Sequence, residues 1–94
     1  MIGVLTHHWA KQNKVENARH ILDGNGEAQS KAPGFMNRTT LLSKTDPTQI
    51  SSLVLWENDH IYDKWKESSE RAEAMKDANA VWSRPPESER FDIP

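Results

Sequence analysis

Two histidines, His7 and His8, stand side by side in the run IGVLTHHW (Ile2–Trp9), which holds no other ionisable side chain. An imidazole with an ordinary pKa near 6.5 suits a general base that takes a proton from a phenol or quinol. Neighbours on a strand point to opposite faces, so the pair cannot line one pocket or chelate one ion within a subunit. One would face a pocket and the other a barrel or dimer interior. A buried neutral histidine, satisfied by backbone or a nearby hydroxyl, is an equally open reading of either. Counting back from a helix start at Asn13 favours the face of Thr6 and His8 for the pocket.

Five further side chains, besides Thr6, could complete a substrate site. Trp65 offers a flat ring for stacking on an aromatic substrate, although its spacing from Ile61 also fits an ordinary apolar helix stripe. Trp56 closes an apolar run and reads more readily as core than as substrate contact. The Tyr62 hydroxyl could donate a hydrogen bond, or lie at the surface. Met75 could shape a pocket end, being flexible, or serve simply as core. Arg38 and Asn37 alternate, so one points inward; an inward arginine needs a partner. That partner could be an anionic substrate, with a rim salt bridge the simpler expectation. His20 and His60 have no second ligand at metal-binding spacing.

The elements that must position these groups follow from period and punctuation. Ile2–Trp9 reads as a strand with apolar groups on both faces, hence one covered on both sides. Asn13 with Glu16 resembles a capping box, followed by Val15, Ala18 and Leu22 on one helical stripe. Gly24-Asn25-Gly26 should end or kink that helix, which otherwise runs to about Lys31, before the break at Ala32-Pro33-Gly34. Phe35–Ser43 and Ile50–Glu57 read as strands joined by the Lys44–Thr48 turn, an antiparallel hairpin. Asn58 can cap a second helix carrying Ile61, Tyr62 and Trp65. Ser68-Ser69 interrupts it, and Glu70–Ala80 reads as a further helical stretch. Ser83-Arg84-Pro85-Pro86 reads as a loop, leaving Glu89–Ile93 for a short last strand. The order βαββαβ predicts a single α+β domain over residues 1–94, ferredoxin-like, with a four-stranded antiparallel sheet.

The motifs Pro33-Gly34-Phe35, Val54-Leu55-Trp56-Glu57 and Tyr62-Asp63-x-Trp65, in this order, resemble the antibiotic biosynthesis monooxygenase family across essentially the whole chain. The resemblance implies a homodimer whose two sheets close into a dimeric α+β barrel, with a pocket in each subunit between sheet and helices. Activities there include oxygen-dependent oxidation of quinols and aromatic polyketides without metal or flavin. One branch binds and degrades haem, and other members have no assigned reaction. The haem branch uses an Asn on the first strand, a Trp on the second helix and a His further along as iron ligand. Trp65 matches the Trp. Met75 stands where that ligand belongs, and Thr6, His7 or His8 where the Asn belongs.

Bulk composition narrows the classes. Ninety-four residues bury only roughly 60–65% of the unfolded surface, so pairing with a second copy would add burial. Twelve basic and fourteen acidic residues, net charge −2, are mixed along the chain. That gives no basic face for nucleic acid and no polybasic patch for membrane. Cysteine is absent, which excludes disulfides and thiolate chemistry. With no signal-like or membrane-spanning stretch, a cytoplasmic location is expected. The leading expectation is a cofactor-independent monooxygenase acting on a small electron-rich aromatic or quinol, with His7 or His8 as base and Trp65 holding the ring. The alternatives are a haem-binding protein with a strand His as ligand, and a non-catalytic dimeric barrel for a small apolar ligand.

Overall fold

A computed structural model describes residues 1–94. The N-terminal run forms strand β1 (Ile2–Ala10), and the Ala18/Leu22 stripe forms helix α1 (Val15–Ser30). Strands β2 (Phe35–Leu42) and β3 (Gln49–Trp56) make the expected hairpin. Asn58 caps helix α2 (Asp59–Lys66), its Oδ1 accepting the Ile61 N–H at 2.9 Å. The antiparallel sheet has order β2-β3-β1-β4, with β4 (Trp82–Asp92) closing the βαββαβ ferredoxin-like arrangement.

Three expectations are corrected. Asn13 does not cap α1: Lys14 takes that position without a side-chain bond, and the helix runs unbroken through both glycines to Ser30. Packing of the α1 stripe outweighs glycine's propensity cost. The stretch from Glu70 is shorter than expected: α3 spans Ser69–Ala74 and a single 3-10 turn follows at Ala78–Ala80. The prolines do not make a loop. Pro85 and Pro86 lie within β4, where its register against β1 slips between His7 and Trp9. β4 is an edge strand with only β1 beside it, so a missing N–H there is tolerated.

Strand alternation divides the sheet. On the helix-covered face sit Ile2, Val4, Thr6, His8 and Ala10, opposite Trp56, Val54, Ser52 and Ile50 on β3. Two apolar clusters form along it. Ile2, Val4, Val54, Trp56 and Trp65 make one. Ala10, Ala18, Leu22, Ile50 and Val81 make the other. Between them the same columns turn polar at Thr6, Ser52 and His8. The other face carries Leu5, Leu53 and Leu55, all partly exposed, with Leu41 and Phe91 more than 40% exposed (44% and 43%) and no helix above them. At the far edge of the sheet, β2 leaves Met36 and Leu42 largely in solvent.

Candidate active site

The polar interruption of the core opens into a cavity of about 160 Å³ between sheet and helices. Thr6, His8, Arg38, Tyr62, Trp65 and Met75, six of the residues singled out by sequence, all line it. His7 does not: it lies on the open face, with Nδ1 2.6 Å from the Ser51 hydroxyl and 3.3 Å from Gln49 Nε2. Trp56 does not line the cavity either. It is fully buried behind Trp65, rings 6.0 Å apart and nearly parallel, and also packs against Phe35 and Tyr62. It thus holds the Trp65 ring in place from behind.

His8 is buried, and its ring lies 4.7 Å from that of Trp82. Its Nδ1 has no protein hydrogen-bond partner. Burial, reinforced by Arg38, Arg71 and His7, lowers its pKa from 6.5 to about 4. The ring is therefore neutral near pH 7 and unprotonated, though a weaker base than an ordinary imidazole until an anion bound beside the arginines offsets their charge. Trp65 is buried and forms a wall. It also borders a larger outer groove of about 550 Å³ beside Ala28, Ala32 and Ile61. Burial raises the Tyr62 pKa, so its hydroxyl keeps its proton. Arg90 fixes this corner: it bonds Asp59 at 2.9 Å and Asp63 at 2.6 Å while its guanidinium sits 4.8 Å from the Tyr62 ring centre.

Arg38 points inward, and the expected rim salt bridge does not form. Its Nη1 donates to Gln29 Oε1 at 2.7 Å and its Nη2 to the Leu22 carbonyl at 3.3 Å. Burial lowers its pKa, with Asp23 opposing from a distance, but Asp23 is paired with Arg19. The guanidinium passes beneath α1 at Gly26, where a Cβ would stand 2.7 Å from both Cδ and Nε of Arg38. Gly24, two residues earlier, has nothing within 4 Å of a built Cβ. A Cβ at position 26 would thus force the arginine side chain to shift, whereas one at position 24 would meet open space.

Sequence reasoning missed Asn25, Gln29, Ser52, Lys66 and Arg71 among the lining residues. Asn25 and Gln29 are buried, and Asn25 Oδ1 has no partner. A signal existed: positions 18, 22, 25 and 29 are one helical stripe, which begins Ala, Leu and ends Asn, Gln. Polar groups on an inward stripe mark a place where something polar is to be met.

No protein-family model matches the chain, and no curated protein matches it by sequence. Solved structures match over nearly its full length. A Nitrosomonas europaea protein bearing the antibiotic biosynthesis monooxygenase name superposes with a TM-score of 0.89 at 18% identity, covering 99% of this chain and 98% of that one. SnoaB, a cofactor-independent oxygenase from Streptomyces nogalater, gives 0.87 at 10% identity, covering 99% and 92%. A conserved protein of unknown function from Bacteroides thetaiotaomicron gives 0.86 at 14% identity, covering 98% and 96%. At such identities the likeness is one of fold: this chain has the fold of the antibiotic biosynthesis monooxygenases.

Proposed function

We propose that a chain with this fold and this cavity is a cofactor-independent monooxygenase that oxidises a single-ring phenol or quinol with O2. The observation that carries the reading is the neutral, unpartnered His8 facing a cavity walled by Trp65, Tyr62, Arg38 and Arg71. An engineered apolar cavity of about 150 Å³ accepts benzene, so a volume of about 160 Å³ suits one ring. A haem macrocycle is far larger than this cavity, so its volume does not fit haem.

His8 takes the ring-hydroxyl proton, and the cationic side chains stabilise the anion that forms. The anion gives one electron to O2, and the resulting radical and superoxide join through a new C–O bond. The hydroperoxide then loses its O–O bond as the hydrogen on that carbon leaves. One oxygen stays as a ring carbonyl; the other departs as water with the proton returned by His8. The chain supplies orientation and charge stabilisation, and the electrons come from the substrate.

The same reading assigns the open sheet face to a second copy. Leu5, Leu53, Leu55 and Phe91 would pack against their counterparts and close a barrel, as the small private core favours. No helix is long and apolar enough to cross a membrane.

The test is oxygen consumption by chelator-treated protein across a panel of single-ring quinols and phenols. One O2 consumed per ring oxidised, with labelled oxygen appearing in the product, is expected. Binding of such rings with no oxygen uptake would leave a ligand-binding barrel and overturn the oxygenase reading.

A further inference from the structure

We infer that the ligand of this cavity carries an anionic substituent, a carboxylate on the ring, held between Arg38 and Arg71. The inference deepens the reading above and rests on the same cavity being the substrate site. Three cationic side chains, Arg38, Lys66 and Arg71, line the cavity, and no carboxylate does. Even half-burying an arginine without an acid partner carries a desolvation cost. Arg38 makes only two neutral hydrogen bonds, to Gln29 and the Leu22 carbonyl. A guanidinium has five N–H donors in a fixed fork, so donors remain for a ligand. The Arg71 side chain makes no hydrogen bond or ion pair with the protein, although α3 is rich in glutamate.

The backbone around Arg38 is built to admit it. Glycine inside a helix weakens it, yet α1 keeps Gly26 where any Cβ would strike the arginine. A side chain needed only to fill space under a helix would be apolar. An arginine accommodated there, with neutral partners and open donors, fits the planar bidentate recognition of a carboxylate. The placement suggests a role for each lining group. Arg38 and Arg71 take the acid, Trp65 flanks the ring, and His8 meets the hydroxyl to be deprotonated.

The experiment compares protocatechuate with its uncharged carboxamide, which has nearly the same shape, by anaerobic calorimetry and tryptophan fluorescence at pH 7. The acid is expected to bind at least tenfold more tightly. Arg38→Gln and Arg71→Gln should each bring the two ligands to within about threefold of one another. Arg71 lies half-buried on a short helix, so R71Q keeps the fold if R38Q does not. Gly26→Ala, which displaces Arg38 without removing its charge, should also reduce the preference. Equal binding of acid and amide, a preference that survives both arginine variants, or no binding of either ligand at millimolar concentration overturns the inference. The two proposals fail separately. Selective acid binding without oxygen uptake removes the oxygenase and keeps the anion site. Uptake with the amide at the rate of the acid does the reverse.

Discussion

His7 and His8 are neighbours in sequence and occupy opposite environments. His8 is buried on the helix-covered face, with an unpartnered Nδ1, cations nearby and a pKa lowered to about 4. His7 is half-buried on the open face, held by the Ser51 hydroxyl at 2.6 Å among leucines that no helix covers. The same side chain is a proton acceptor on one face and a hydrogen-bonded surface group on the other. Strand alternation alone makes that separation, so one β-strand serves two unrelated surfaces.

The largest test of the contrast is catalytic. His8→Ala should lower oxygen uptake by about a hundredfold or more, the usual weight of a general base. His7→Ala should stay within about threefold of the parent in the same assay. Equal losses would erase the distinction. A second test reads pH-dependent stability by denaturant melts. Because burial depresses the His8 pKa, the neutral form belongs to the folded state. The stability it confers is present above about pH 6.5 and is lost as pH falls from there toward 4. That gap of roughly 2.5 units corresponds to up to about 3 kcal/mol. A His8→Gln variant should lack this component, and a His7→Gln variant should retain it.

On the open face, Leu53→Asp should weaken self-association by about a hundredfold, on the order of one buried leucine's transfer energy. Light scattering across a dilution series measures it, and a parent that is monomeric at micromolar concentration would remove the barrel. The smallest test lies in α1. Gly24→Ala should raise stability by about 0.5–1 kcal/mol, because its Cβ would meet nothing. Gly26→Ala should give no such gain, because its Cβ would meet Arg38. Equal gains would show that Arg38 is not confined there.

The architecture was legible because period and punctuation are local: the hairpin, the Asn58 cap and the order of elements were all readable in short windows. β4 was misread because the prolines at 85 and 86 signal a break, while tolerance of proline depends on being at an edge, which is a property of the finished sheet. At the site, alternation showed that His7 and His8 must separate, but the residues left open which faced inward. The preference for the Thr6/His8 face rested on a cap at Asn13 that does not form, although Thr6 and His8 do line the cavity. Arg38 was expected to find an acid because a charge is normally satisfied by one. Its actual partners, Gln29 and a backbone carbonyl, lie on an element that meets β2 only in three dimensions. Gly24-Asn25-Gly26 looked like a helix breaker for the same reason, since what Gly26 admits comes from another strand.

The two edges of the sheet differ in a way that bears on handling the protein. β4 carries two prolines, a register slip and charged side chains at Glu87, Glu89 and Arg90, all devices that discourage a foreign strand. β2 (Phe35–Leu42) has a register irregularity only at its start, between Phe35 and Asn37, and beyond it Leu41 and Leu42 lie in solvent with one charge, Arg38, turned inward. Its outer row of amides is a template for intermolecular strand addition. Variants that open the proposed barrel should therefore tend toward precipitation and fibre-like assembly starting at β2. A lysine at Leu41 would act as a gatekeeper that keeps such variants in solution.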